Sequence, residues 1–245
     1  MIHKKNHEEI YNNLLRDIYK NPSKYIRRPS LKYLRPFING YRFCGDANAH
    51  IIGNITWDTT FDTKPSFYDF IKDKYKIETS RHYFCIIDFF HSSEEDAFYK
   101  YFDLLYEYKE ISTFTHKKLP EMNGEEVELH LNQGLDTNEV YYKLLSFIHK
   151  KPGAFIGFYP SLRLLEAFLN GYITFIHIYK LPFDPHPGFK QFVKAKYNVT
   201  VSKNVYDIID FHHITESFNE FFKLLGEYLK FMNMTRFNEL LDLGN

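Results

Sequence analysis

Two Asp–His pairs are the residues of this 245-residue chain whose types and spacing could do chemistry. Asp88 and His91 stand three residues apart in IIDFFH, and Asp210 and His213 do the same in IIDFHH. On a helix this spacing puts both side chains on one face, where they could share a proton or a metal ion. His212 adds a third imidazole. If symmetry brought the pairs together, they would form a metal cluster of two histidines and two carboxylates.

A structural role explains the same pairs. A histidine at the C-terminal end of a helix interacts favourably with the helix dipole, and an aspartate can order the turn. We favour this interpretation, because a histidine at a helix end needs no further role. The sequence contains no HExxH zinc motif, no phosphate-binding glycine loop, no GxSxG nucleophile elbow and no cysteine pair at zinc-ligand spacing. We therefore expect no catalytic residue, no cofactor and no metal, with a metal-dependent enzyme or sensor as the alternative.

Internal repetition extends over most of the chain. Four blocks recur in the same order, and the third aligns without a gap, with 12 of 27 positions identical. Four collinear blocks predict a tandem duplication. The aligned blocks are 7–26 with 137–156, 29–41 with 160–172, 65–91 with 187–213, and 97–108 with 217–228.

The duplication predicts three segments. We assign 1–109 to a first repeat, 110–136 to an acidic linker, and 137–245 to a second repeat with a C-terminal tail. In each repeat, apolar residues recur at helical spacing, which indicates about five helices. In the first repeat we expect helices from roughly Glu8, Ser30, Ser66, Ser80 and Ser92 or Ser93.

Strand-like alternation is confined to two short segments, 126–131 and 197–202. We therefore expect an all-α fold, built as a tandem duplication of a roughly five-helix unit. The triplet Asn-Gly-Tyr occurs at 39–41 and again at 170–172. Glycine inside a helix costs about 1 kcal/mol relative to alanine, so its presence twice indicates close packing of a neighbouring helix. A ligand pocket is the less favoured interpretation.

Charge is balanced overall but unevenly distributed. The chain has 31 Lys and Arg against 31 Asp and Glu, which indicates neither nucleic acid nor an acidic membrane as partner. Residues 20–42 are basic and could contact phosphates, but the aligned segment of the second repeat is far less basic, so we do not expect nucleic acid to bind.

The segment 119–139 contains six carboxylates and no Lys or Arg. It is either a solvated linker or a surface for a basic partner. An insertion of about nine residues in the first repeat carries the only tryptophan. The candidate partner-binding residues are Glu121, Glu125, Glu126, Glu128 and Trp57.

The expected compartment is the cytoplasm. Cys44 and Cys85 are not paralleled by cysteines in the second repeat, and free thiols suit a reducing compartment. The sequence shows no apolar signal region and no run of membrane-spanning length.

The segment from Pro22 to Tyr41 follows the pattern Pro-x-x-Tyr-Ile-x-x-x-Ser-Leu-x-x-Leu-x-x-Phe-x-x-Gly-Tyr. Together with the downstream blocks 67–75 and 97–108, which are rich in Phe, Tyr and Lys, this segment resembles immunity proteins of bacterial polymorphic toxin and contact-dependent growth inhibition systems. In these proteins a glycine often follows the isoleucine of the pattern. The second repeat has this glycine, Gly157, but the first repeat has Arg27 in its place. The resemblance covers most of both repeats. It implies a non-enzymatic cytoplasmic protein whose partner is a cognate protein toxin. The protein would bind the C-terminal toxin domain of that partner and neutralise it by occlusion.

Overall fold

The structure is a computed structural model, and it describes residues 7–49, 65–115, 136–157 and 159–241. Within these ranges the chain forms thirteen α-helices and no strand, which confirms the all-α prediction. The strand-like segment 197–202 forms turns and irregular backbone, so that indication was wrong. The segment 126–131 lies outside the described residues. None of the described helices combines the length and the apolar character needed to cross a bilayer.

Six of the helices belong to the first repeat and seven to the second. The first six are α1 (His7–Lys20), α2 (Pro22–Ile26), α3 (Leu31–Ala47), α4 (Phe67–Tyr75), α5 (Tyr83–Phe89) and α6 (Glu94–Thr115). The others are α7 (Thr137–Lys150), α8 (Pro152–Phe155), α9 (Leu162–Tyr179), α10 (Phe189–Lys196), α11 (Val205–His212), α12 (Ser217–Phe231) and α13 (Thr235–Leu241).

Each repeat therefore has one more described helix than the five expected before the tail. The additional helices are α2 and α8, which begin at Pro22 and Pro152. A proline ends the preceding helix, and its fixed φ also suits the first position of a new one, where no backbone N–H is needed.

Contacts divide the chain into two compact units. The first unit comprises 1–35 with 54–129, and the second comprises 36–53 with 130–245. The boundary falls inside α3, so the part of this helix from Pro36 onward belongs to the second unit. Most of the expected linker, 116–135, lies outside the described residues, so the division into 1–109, 110–136 and 137–245 stays a prediction.

Side-chain caps determine where several helices begin. Ser66 and Asp69 form a reciprocal capping box at the start of α4, and Asp136 and Glu139 form another at α7. At α6 the Ser93 hydroxyl accepts a hydrogen bond from the Asp96 backbone N–H at 3.0 Å. These caps lie at or next to the predicted starts, because capping uses short polar side chains that a sequence displays directly.

Aligned positions of the two repeats share tertiary contacts as well as helix bounds. In the first unit the Tyr108 hydroxyl donates to the Pro65 carbonyl, 2.8 Å away, and in the second the Tyr228 hydroxyl donates to the Pro187 carbonyl. The first unit also pairs Lys74 with Glu107. At the aligned positions of the second unit, Lys196 pairs with Glu227.

Aromatic side chains fill the core of both units. Phe67 is fully buried in the first unit, with its ring 5.1 Å from Tyr83 and 5.4 Å from Tyr108. In the second unit Phe189 lies 5.4 Å from Tyr228 in the same way. The high aromatic content of the sequence thus has a packing role in both units.

The two Asn-Gly-Tyr triplets meet where α3 crosses α9 inside the second unit. A Cβ atom added to Gly40 would overlap the Phe168 carbonyl group, and one added to Gly171 would overlap the Phe37 carbonyl group. The contacts are reciprocal, since Phe37 and Gly40 align with Phe168 and Gly171. This crossing brings backbone against backbone and confirms that the repeated glycines serve helix packing.

Replacing either crossing glycine by alanine should destabilise the protein. Gly40→Ala and Gly171→Ala should each lower the free energy of unfolding by about 2 kcal/mol or more, because the helices must separate to admit a methyl group. The matched control is Gly153→Ala in α8, where an added Cβ meets no heavy atom within 4 Å. That change should be neutral or slightly stabilising. Urea unfolding measures the difference, and equal stability of Gly40→Ala and Gly153→Ala would contradict the close contact.

Candidate functional site

The predicted partner-binding residues lie outside the described residues. They are Trp57, Glu121, Glu125, Glu126 and Glu128. Their role in recognition stays a prediction. The Asp–His pairs, in contrast, are described in full.

Both histidines lie at the C-terminal ends of helices, as the structural interpretation expected. His91 follows the end of α5, and its ring Nδ1 lies 2.7 Å from the Ile87 carbonyl oxygen. A carbonyl can only accept, so Nδ1 is the donor there. His213 caps the end of α11, and its backbone N–H donates to the Ile209 carbonyl.

In the second unit, the aspartate and the histidine of the pair face different partners. The Asp210 carboxylate forms an ion pair with Arg163, in which Nε of Arg163 is the contacting donor. The ring of His213 instead lies against Tyr197, whose hydroxyl is 2.8 Å from Nε2. The pair shares a helix end, but each member belongs to a separate cluster.

Arg163 is the centre of the first cluster. Its guanidinium contacts Asp210, Asp207 at 2.9 Å and Glu166 at 3.1 Å. The Glu166 side chain is only 6% exposed, and it also accepts from the Asn204 amide at 3.2 Å. One cation thus holds α9 to α11 through Asp207 and Asp210, while Glu166 contacts it from α9 itself. Such a planar, multidentate donor joins helices and leaves little of the cation for a ligand.

Tyr197 is the centre of the second cluster. Its hydroxyl lies 3.2 Å from Glu220 as well as next to His213, and its ring stacks on His212 at 4.5 Å. The pKa of Tyr197 is raised to about 12, mainly by burial and secondly by the negative charge of Glu220. The phenol therefore stays protonated at neutral pH. Lys223 approaches the other Glu220 oxygen at 3.2 Å. The group is a hydrogen-bonded network of a phenol, an imidazole and a carboxylate.

The aligned positions of the first unit keep the aromatic stacking without this network. Tyr75 stacks on Phe90 at 4.8 Å and lies 6.0 Å from the His91 ring. The shared feature is therefore a tyrosine packed against the end of the next helix, whereas His212 and Glu220 belong to one copy, since Phe90 and Lys100 stand at their aligned positions. In the part of the chain that is described, no group of three or more His, Cys, Asp or Glu side chains is arranged to hold a metal ion.

The same motif exposes a phenylalanine in each unit. Phe89 is 76% exposed and Phe211 is 80% exposed, although each directly follows an aspartate and a pair of buried isoleucines. Ile214 beyond α11 is 86% exposed. The sequence-based predictions did not include Phe89, Phe211 or Ile214. Spacing gives no clear signal, because Phe89 and Phe211 lie two positions past Ile87 and Ile209 but three positions past Ile86 and Ile208.

Two histidines outside the motif, His82 and His186, are half-buried among aromatic rings. His186 lies between Tyr141 and Phe189, with ring distances of 5.7 and 5.5 Å, and its Nδ1 is buried without a hydrogen-bond partner among the described residues. Burial lowers the pKa of His186 to about 4. In the first unit, burial and the positive charge of Arg35 also lower the pKa of His82 to about 4.

Removal of Arg163 should destabilise the second unit strongly. Arg163→Met should lower the free energy of unfolding by about 3 kcal/mol, because three carboxylates, one of them buried, lose their cation. The matched control is Lys32→Met at the aligned position, where an exposed lysine pairs with Glu94 at 2.7 Å. An exposed pair of this kind contributes less than about 1 kcal/mol. Chemical denaturation of both variants tests the contrast, and equal losses would argue against a central role for Arg163.

Stability should fall in mild acid because of the buried histidines. Between pH 6.5 and about 4 the unfolded chain protonates imidazoles that the native state keeps neutral, so the free energy of unfolding decreases as pH falls. His186→Phe should reduce this decrease by about 2 kcal/mol. The control is His177→Gln at an exposed position of α9. Unfolding curves at pH 7 and pH 4.5 measure it, and an unchanged pH dependence in His186→Phe would refute it.

No protein-family model matches the chain, and neither curated proteins nor solved structures give a significant match.

Proposed function

We propose that this chain is a cytoplasmic, non-enzymatic immunity protein that binds a cognate bacterial toxin domain and neutralises it by occlusion. The observation that carries the proposal is an exposed phenylalanine at the end of α5, Phe89, and at the end of α11, Phe211. We call these two helix ends the corners of the units. An exposed aromatic ring loses the stabilisation of roughly 2 kcal/mol that burial would give it. A ring exposed twice at one position of a motif is typical of a surface that becomes buried in a complex.

Neighbouring residues extend these corners into apolar surfaces. Phe90, beside Phe89, is 44% exposed, and Ile214 lies three residues after Phe211. Binding would bury these side chains and exclude water from the polar groups around them. The acidic residues Glu121, Glu125, Glu126 and Glu128, with Trp57, stay candidates for the remainder of the interface, where charge would steer a basic toxin domain.

We also propose that the chain arose by tandem duplication. The aligned blocks, the matching helix bounds and the two Tyr–Pro hydrogen bonds support this origin. The reciprocal glycine crossing supports it further, since aligned residues occupy both sides of one contact. Both cysteines are free thiols, which supports a reducing compartment.

The toxin domain encoded by a neighbouring gene provides the test. We expect the purified chain to bind it with nanomolar affinity and to protect cells that express it. Phe89→Ser together with Phe211→Ser should weaken binding at least about tenfold, because the anchor rings are lost while the fold is retained. The control is Val201→Ser, which removes an exposed apolar side chain outside the two corners. Isothermal titration calorimetry and a survival assay give the two readouts.

Two results would contradict the proposal. Absence of binding and of protection would exclude the immunity function. A stoichiometric metal in the purified protein that is lost on His213→Ala would instead support the metal-dependent alternative built on the Asp–His pairs.

A further inference from the structure

A groove lies between α1 and α6 in the first unit. It has a volume of about 210 Å³ and an apolar floor formed by Leu15, Phe102 and Leu105. Its rim is polar, with Asn12 and Arg16 from α1 opposite Tyr106 and Lys109 from α6. The described residues that line the groove include two cations and no carboxylate.

The Lys109 ammonium donates to the Asn12 side-chain oxygen at 2.7 Å, so it is held at the rim. Arg16 is exposed to solvent, and Tyr106 is 42% exposed although it stands over an apolar floor. These side chains form a basic edge beside an apolar surface. That combination suits a ligand that presents apolar side chains together with carboxylates.

The second unit shows what the aligned surface does there. It lies between α7 and α12, and α13 packs on both of these helices. Phe237 of α13 stacks on Tyr142, with the rings 4.8 Å apart, and Leu241 is fully buried. Arg236 of α13 pairs with Glu139, which is 1% exposed, whereas the aligned Glu9 of the first repeat is exposed. In the second unit a short helix of the chain itself covers this surface.

The residues that differ between the two surfaces are polar or bulky in the first unit and suited to burial under α13 in the second. Each polar or bulky rim residue of the first unit is replaced by an apolar or small, buried residue in the second. The aligned pairs are Asn12 with Tyr142, Arg16 with Ser146, Tyr106 with Gly226, and Lys109 with Leu229. The floor residues, by contrast, are the same in both, with Leu145, Phe222 and Leu225 aligned to those of the groove.

A tight turn after α12 allows α13 to fold back. Asn233 has a φ of 54°, in the left-handed region, and turns the chain between α12 and α13. The offset of the last aligned block, continued past its end, places Thr113 opposite Asn233, and Thr113 lies within α6, which continues to Thr115. At 1.5 Å per residue, α6 carries the chain about 9 Å past Lys109 as a helix. Among its described residues the first unit thus has the floor for a docked helix and no turn at the position of Asn233.

We propose that this groove of the first unit binds an amphipathic helix of the partner protein, with an aromatic or aliphatic anchor on one face and carboxylates beside it. The anchor takes the place that Phe237 has in the second unit, and the carboxylates pair with Arg16 and Lys109. Helix-in-groove recognition of this kind needs anchors spaced by one helical turn, which α13 illustrates with Phe237 and Leu241. The inference rests on the chain being a binding protein and adds the structure that it recognises.

A labelled synthetic peptide of about four helical turns tests the groove directly. It carries Phe and Leu on one face and Glu elsewhere, and a second peptide has Lys in place of every Glu. We expect the wild-type chain to bind the acidic peptide at least about tenfold more tightly than the basic one, with affinity falling as salt is added. Fluorescence anisotropy gives the affinities, and NMR shifts of α1 and α6 amides give the location.

Matched charge reversals on α1 separate the groove from general electrostatics. Arg16→Glu should weaken the acidic peptide about tenfold or more, whereas Lys20→Glu, an exposed change on the same helix outside the groove, should have little effect. Equal binding of the two peptides, or equal effects of the two variants, would overturn the proposal. Tight peptide binding only after Glu121, Glu125, Glu126 and Glu128 are changed to Gln would assign the groove to the acidic segment of this chain and would also overturn it.

The toxin domain distinguishes this inference from the proposed function. If the toxin binds wild type and Arg16→Glu equally, the groove inference fails and the immunity function stands. If the peptide results are as expected but the toxin neither binds nor is neutralised, the immunity function fails and the groove remains a docking site for another acidic helix.

Discussion

The close crossing of α3 and α9 is the contact on which the second unit depends. Gly40 and Gly171 let two helix backbones touch, and Tyr41 and Tyr172 follow them directly into the core with 1% and no exposure. A methyl group on either glycine would separate the helices along their whole contact. The helix α3 begins in the first unit, but its residues from Pro36 onward belong to the second unit. Sequence adjacency alone therefore does not define the compact units.

Much of the helical architecture could be predicted from the sequence, because caps, prolines and apolar spacing act locally. Ser66 and the repeated glycines were informative for this reason. The errors have equally local causes. The start of α5 was expected near Ser80, but the ring of His82 caps Tyr83 onward by accepting from the Phe84 backbone N–H at 3.3 Å. Histidine is rarely considered as a cap. The segment 197–202 alternates like a strand, yet Asn198, with a φ of 54°, turns the chain directly after α10.

The candidate site was harder to predict, because its partners come from distant helices. Asp210 and His213 are neighbours on α11, and helical spacing correctly places them at one helix end. The spacing contains no information about Arg163 on α9 or Tyr197 at the end of α10, which determine what each side chain does. The same limit applies to the predicted tail, because the packing of α13 over α7 depends on tertiary contacts alone.

The difference between the two repeats is more specific than solvent exposure requires. A groove that none of the described residues covers needs polar rim residues for solubility, and mixed or negative charges would serve as well as positive ones. The rim instead carries cations of one sign, although acidic side chains such as Glu8 and Glu9 are exposed elsewhere on α1. The floor meanwhile stays as apolar as its covered counterpart, where solvation alone would favour polar replacements. An apolar floor with a rim of one sign is better explained by a second molecule than by water.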